Sequence, residues 1–439
     1  MNIYAERRAR ALAALRGGVA VIPSAREIIR SNDSEYPFRQ NSDFYYLTGF
    51  DEPDALLVLA PEHPDATSVL FLRERDRAME IWNGKRLGVE PATQALGVDR
   101  ALPIDTLDDR LPGLLVGAER LFFDLEAHPT FEPQVRAAMR AAKSKTRRAG
   151  RAPRAIADPT DILHAMRQIK DAHEIATMRR AGALTADAHA LAMRATRPGA
   201  YEYEIAARIE YATKRAGAQH MAYQSIVAGG DNATILHYRE NRDRLADGTL
   251  LLVDAACEID YYAADVTRTW PVGGRFSPEQ RAIYEIVLRA QEAAIAEVQP
   301  GRPQRAFHEA AVRTITEGLI ELGLLRGSVD ENIEQERYRD YYMHGTGHWL
   351  GLDVHDVGRT RDAEDQPIAL AAGMVTTVEP GIYVHRDLNC DERFKGIGVR
   401  IEDDLLVTND GHENLTAAAP KRIAEIEAIV GSEALTAVR

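Results

Sequence analysis

Asp254 and Asp265 stand eleven positions apart within one apolar run, LLLVDAACEIDYYAADVTRTWPV. Ionised carboxylates are rarely buried unless they are paired or hold a metal. If the run folds as a hairpin with its turn near Glu258–Asp260, side chains of one face come within roughly 4.5–5.5 Å at Cβ. Carboxylates that close repel each other, and a cation between them removes the conflict. The plainer alternative is an exposed hairpin with ordinary surface acids; the apolar flanks argue against it. Downstream, His348 lies in MHGTGHWLGLDVHDVG, Glu379 in TVEPGIY and Glu402 in GVRIEDD. Alone, such a histidine is commonly a satisfied core group and such a Glu-Pro-Gly a strand end. Together, four carboxylates and an imidazole point to a two-metal centre. Four negative charges balance two divalent cations, and oxygen-rich ligation with one imidazole suits Mn²⁺.

Further groups surround this set. His237 follows the loop AGGDNAT in strand-like ILHY, and His344 and His355 flank His348. Each alone could serve packing or sit at the surface; three around one ligand segment favour a functional role. Arg400, two residues before Glu402 on the same strand face, is placed to orient a ligand carboxylate by a charge-assisted bond. The loop AGGDNAT lacks a following Lys-Ser/Thr and opens no helix, so it is not read as a phosphate cradle.

The elements that must position these residues are legible from pattern. Before residue 160, strand-like runs (Gly18–Ile22, Ala55–Ala60, Ser68–Leu72) alternate with helical ones (Ala5–Leu15, Phe131–Ala142), which predicts a small α/β domain. The basic stretch AAKSKTRRAGRAPRAIADP reads as a solvated connection approaching a domain boundary. Asp171 with Glu174 resembles a capping pattern and starts a helix to about Thr196; Ser277-Pro278 with Gln280 starts another, to about Val298. Ala311, Ile315, Leu319 and Leu322 give a further amphipathic face. Strands are expected at Ala222–Ala228, Ile235–Tyr238, Leu250–Cys257, Ala263–Val272, Met374–Val378 and Gly398–Val407, making the second part α+β.

Composition bounds the rest. A chain of 439 residues suggests two domains. Its net charge of −13 does not favour nucleic acid or an anionic membrane. No run approaches the ~18 apolar residues of a spanning helix, and the N-terminus lacks the apolar centre of a signal peptide. Cys257 and Cys390 are the only cysteines, which excludes a disulfide framework and a thiolate metal site. A cytoplasmic protein is expected.

These residues resemble the aminopeptidase P and prolidase group of the "pita-bread" metallopeptidases, and DSEYPFRQNSDFYYLTGFDEPDALLVL is similar to that group's N-terminal domain. The resemblance implies an α/β N-terminal domain over 1–170 and an α+β pita-bread catalytic domain over 171–439, with a curved mixed sheet flanked by helices. It implies Asp254, Asp265, His348, Glu379 and Glu402 as ligands of two metals. Asp265 and Glu402 would bridge them, Asp254 would complete one site, and His348 with Glu379 the other. A bridging hydroxide would attack the scissile carbonyl, and such a nucleophile could also attack phosphotriesters as a side reaction. Glu379 would shuttle the proton. His237, His344 and His355 would line the substrate site; His355 would donate to the substrate carbonyl, and His344 would steady the tetrahedral intermediate or nearby groups. Trp82, in IWNGKRLG, would reach a neighbouring subunit's site in a homo-oligomer, dimer or tetramer; read alone it is a core or edge aromatic of the small domain. The substrates implied are peptides with proline at the second position. Two other readings stand beside this one: a prolidase confined to Xaa-Pro dipeptides, and a metal-free binding module on the same fold. The complete ligand set argues against the second.

Overall fold

The computed structural model describes residues 2–147 and 150–433. The chain divides between Arg167 and Gln168 into two compact units. In the first, β1 (Gly18–Pro23) is followed by a small hairpin, β2 (Ile29–Ser31) and β3 (Ser34–Glu35). Then come β4 (Leu56–Leu59), β5 (Ser68–Leu72), β6 (Arg100–Pro103), β7 (Arg120–Phe122) and β8 (Ala155–Ala157). The apolar runs forming β1, β4 and β5 are buried along their whole length, as strands covered on both faces must be. The sheet runs β6-β5-β4-β1-β7-β8; β4 is antiparallel to β1 and β5 and the other neighbours are parallel. Helices Ile3–Ala14 and Glu132–Lys145 each lie within three residues of the stretch expected to be helical. Glu132–Lys145 closes on Lys143 and Lys145, cations that complement a helix C-terminus. The basic stretch continues through Arg148 and Ala149, which lie outside the described residues, and ends in the edge strand β8 rather than in a plain connection.

The second unit starts on helix Ala172–Ala195, whose Asp171–Glu174 capping box is formed on both sides. Helix Pro278–Glu297 has the reciprocal Ser277–Gln280 box. Its strands are β9 (His220–Met221), β10 (Ile226–Gly229), β11 (Leu250–Asp254), β12 (Cys257–Ile259), β13 (Tyr262–Ala263), β14 (Thr267–Pro271), β15 (Val375–Val378), β16 (Gly381–Val384), β17 (Ile397–Arg400), β18 (Asp403–Val407) and β19 (His412–Asn414). Two long antiparallel ladders dominate. The pair β11/β14 continues as β12/β13, and β15/β18 passes into β16/β17. Helices Glu202–Arg215, Pro278–Glu297 and Ala306–Glu321 cover them through a core that includes Ile209, Ile283, Val287, Ile315, Leu251, Trp270, Ile382 and Val399. Leu322 packs against its rim.

The structure breaks several strands that the sequence reads as continuous. The first hairpin turns at Asp260–Tyr261, both at positive φ (47° and 68°), the signature of a two-residue type I′ turn. Its arms are interrupted at Ala255–Ala256 and Ala264–Val266. The run Gly398–Val407 is interrupted at Ile401–Glu402, where Ile401 N–H turns to Pro380 O and Glu402 N–H to Thr267 O. Ala222–Ala228 is strand only from Ile226, and Ile235–His237 form a turn. No helix of the described residues is long and apolar enough to cross a membrane.

Candidate metal centre

The interruptions are where the chemistry sits. Asp254 ends β11, Asp265 lies just before β14, Glu379 falls between β15 and β16, and Glu402 between β17 and β18. A regular ladder turns alternate side chains to opposite faces; a local change of partner lets neighbouring arms aim carboxylates at one point. β14 and the second ladder are stitched together by Glu402 N–H to Thr267 O (3.0 Å) and by the Thr269 hydroxyl to Arg400 O (3.0 Å). The result is a cleft of about 490 Å³ lined by all four carboxylates, His348, His237, His344, His355 and Arg400, with Leu236, Gly345 and Gly347.

His348 Nε2 lies 3.4 Å from Asp265 Oδ2 and 3.8 Å from Glu379 Oε1. Donor atoms of Asp265, His348 and Glu402 fall within 4.8 Å of one another. Its segment is laid along β15: Thr377 N–H donates to His348 O (2.9 Å) and His348 N–H to the Thr377 hydroxyl (3.2 Å). Gly347 permits that approach, since a Cβ there would lie 2.0 Å from Thr377 O. His355 stands edge-on to His348 with ring centres 4.3 Å apart, and the neighbouring Asp356 is anchored by a buried pair with Lys170 (3.0 Å). Arg400 Nη2 donates to Asp254 (2.7 Å), Nη1 to the Tyr383 hydroxyl (3.0 Å) and Nε to the Thr267 hydroxyl (3.1 Å), which in turn donates to Glu402 (2.7 Å). His344 Nε2 lies 2.8 Å from the same Tyr383 oxygen, and its Nδ1 3.8 Å from Glu379.

The electrostatics follow from burial. Asp265 is 5% and Glu402 2% exposed. Burial, then Asp265, Glu379 and Asp254, hold the Glu402 carboxyl well above its usual range. Burial carries Glu379 up to about 7 against the pull of His348 and Arg400, and Asp254 is raised by burial despite Arg400. Burial would lower His348, but Asp265 and Glu379 lift it to about 9. His344 is held neutral, down to about 3, by burial and then by Arg400, and His355 is lowered by burial and by His348. A divalent cation inverts this logic by favouring ionised carboxylates and neutral imidazole. The donor set, oxygen-rich with one imidazole, fits hard or borderline divalent ions.

Three participants carried no sequence signal, and a fourth, Asp404, stands unassigned in GVRIEDD. The Tyr223 hydroxyl lies 2.5 Å from both Asp254 Oδ1 and Asp265 Oδ1. Tyr383 joins His344 to Arg400, Thr267 joins Arg400 to Glu402, and the buried Asp404 accepts Asp265 N–H (3.1 Å). A tyrosine in apolar sequence reads as core, although a buried phenol must find a partner. Trp82 is not among the residues lining the cleft. It stands on the short helix Arg77–Asn83 of the first unit, 84% exposed, so it is no core aromatic.

The model of metallopeptidase family M24 matches residues 176–409, and that of the aminopeptidase P N-terminal domain matches residues 4–122. The chain belongs to metallopeptidase family M24, and the second unit has its pita-bread fold, with the α/β domain of the aminopeptidase P group ahead of it. It is 45% identical to the Xaa-Pro aminopeptidase of Escherichia coli over 94% of both chains, and 47% identical to that of Haemophilus influenzae over 97% of this chain and 96% of the relative. Among solved structures it is similar to aminopeptidase PepP of Pseudomonas aeruginosa (TM-score 0.96, 48% identity, 98% and 97% of the two chains). It is also similar to zinc-substituted Escherichia coli aminopeptidase P in complex with product (TM-score 0.94, 43% identity, 98% of each chain). Divalent metal is therefore part of this family's chemistry.

Proposed function

We propose that the protein is a Xaa-Pro aminopeptidase, releasing the N-terminal residue of peptides with proline in second position, with two divalent ions, manganese first among them, held by Asp254, Asp265, His348, Glu379 and Glu402. The observation that carries this reading is the convergence of those five side chains in one cleft, in a chain whose relatives bear that activity as their name. Divalent ions in such a site act as Lewis acids on a scissile carbonyl and make water a nucleophile at neutral pH. The chain's own groups do the remainder. Arg400 fixes Asp254, and Thr267 fixes Glu402, so that neither carboxylate rotates as charge develops. Glu379, a carboxylate lining the cleft, is the group that takes up a proton and passes it to the proline nitrogen, a leaving atom that has no hydrogen of its own. Neutral His344 and His355 hydrogen-bond without adding charge, and His237 lines the same cleft.

Trp82, exposed on the first unit, is read as covering the substrate of a second copy in a homo-oligomer, and the setting as cytoplasmic. Prolidase activity is the second reading; the aminopeptidase P N-terminal domain match favours the first. The test compares a Xaa-Pro dipeptide with a Xaa-Pro-Yaa tripeptide, before and after chelation and after Mn²⁺ is restored. Tripeptide cleavage that vanishes with metal and returns with it is expected. Full activity in a verified metal-free sample, or cleavage of the dipeptide alone, overturns the assignment.

A further inference from the structure

His237 lies in a stretch, residues 235–243, that carries no helix or strand, yet a group lining a catalytic cleft must be held still. The restraint comes from a fully buried carboxylate outside the metal cluster. Glu202, the first residue of helix Glu202–Arg215, is 0% exposed. Its Oε1 accepts Gly229 N–H (2.7 Å) and the Asn232 amide (3.0 Å); its Oε2 accepts the Tyr238 hydroxyl (2.8 Å) and Asp243 N–H (2.9 Å). Its own N–H donates to Asp243 O (3.0 Å). Four donors fill the four acceptor sites of one carboxylate, and they come from both ends of the loop and from the residue following His237. Gly229 lets the backbone approach: a Cβ there would stand 2.9 Å from Leu245 and 3.4 Å from Glu202 Oε1. The other side of the loop is set by Gly398, where a Cβ would lie 2.1 Å from Ala233 O, so the loop is seated against β17, which carries Arg400.

We propose that Glu202 is a positioning residue of the reaction: it ties the Gly229–Asp243 loop so that His237 is presented to substrate. This rests on the peptidase reading above. A misplacement of about 1 Å at a substrate-contacting group can cost on the order of 10²-fold in rate, so the demand on this restraint is high.

The decisive experiment is a double-mutant cycle on the metal-replete, full-length protein with a Xaa-Pro-Yaa tripeptide. Glu202→Gln turns an acceptor into a donor facing donors; at least about a tenfold fall in kcat/KM is expected, with metal content unchanged. If Glu202 acts through His237, the same change made in His237→Ala costs less than about twofold, because coupled residues are not additive. Losses that multiply, or a loss of metal, overturn the claim. If Glu202→Gln does not fold, Tyr238→Phe removes one donor and leaves the carboxylate; a smaller fall, again absent in the His237→Ala background, supports the claim, and a fall that persists there overturns it. Should the wild-type protein not cleave the tripeptide, the peptidase reading falls separately. The positional claim is then read from the imidazole resonances of His237, which must shift in Glu202→Gln; unmoved resonances overturn it.

Discussion

At the scale of single residues, the centre is an electrostatic problem solved by neighbours. Asp254, Asp265, Glu379 and Glu402 share one cleft with a single guanidinium, Arg400. Glu402 is the most exposed to this conflict, because three other carboxylates raise its carboxyl in addition to burial. Its removal should therefore cost more than removal of a group that touches only substrate. Glu402→Ala is expected to lose at least one metal equivalent and nearly all turnover, whereas His237→Ala should keep its metal and fall by ~10–100-fold, the usual size for a supporting group. Metal stoichiometry by elemental analysis and turnover of both variants check this; a Glu402→Ala protein with two metals and near-native rate would refute a bridging role. The ligand types were legible in the sequence because acids in apolar runs are conspicuous. Tyr223 and Thr267 were not, because their side chains are ordinary in buried strands and only the fold shows what their hydroxyls meet.

At the scale of elements, helix starts were readable and strand interruptions were not. The capping boxes at Asp171 and Ser277 depend on residues three apart, so local sequence contains the whole interaction. The interruption at Ile401–Glu402 depends on Thr267 and Pro380, distant in sequence, and an alternating apolar pattern is indifferent to which strand lies alongside. ILHY forms no strand for a related reason: Ile235 N–H closes on Asn232 O and the Tyr238 hydroxyl goes to the buried Glu202, so the segment joins no ladder. The segment carrying His348 offers a direct test of how finely an element must be placed. Gly347→Ala would drive a methyl into Thr377 O and push the segment off β15. We expect at least tenfold weaker metal affinity, at an overpacking cost of roughly 1–3 kcal/mol, with the far-ultraviolet circular dichroism unchanged. Native metal affinity in that variant would show that the approach is not needed.

At the scale of the whole molecule, the charge and cysteine count only excluded classes of partner, and the described residues that line the cleft belong to the second unit. The part in catalysis proposed for the first unit rests on Trp82, which is 84% exposed with Ile81 beside it at 74%; an exposed apolar patch is a feature of surfaces that meet something. Trp82→Ala is expected to raise KM for tripeptides while metal content stays native. Mixing it with an inactive His348→Ala protein under subunit exchange should restore activity; a strictly monomeric, fully active wild-type protein removes the cross-subunit role. The spread of the five proposed ligands has a separate thermodynamic meaning. From Asp254 to Glu402 the chain runs about 150 residues, and an ion that gathers both ends acts as a reversible cross-link over that contour. The closure it enforces is entropically one of the longest available to this domain, and the unfolded chain offers no such gathered site. Free ion concentration is thereby a stability variable: at about a hundredfold excess over Kd, mass action adds roughly 2.7 kcal/mol per independent site. Resistance to heat and to proteolysis should then follow the ion supply of the surroundings, and the same atoms that ready the catalyst would set how long each copy of the chain survives.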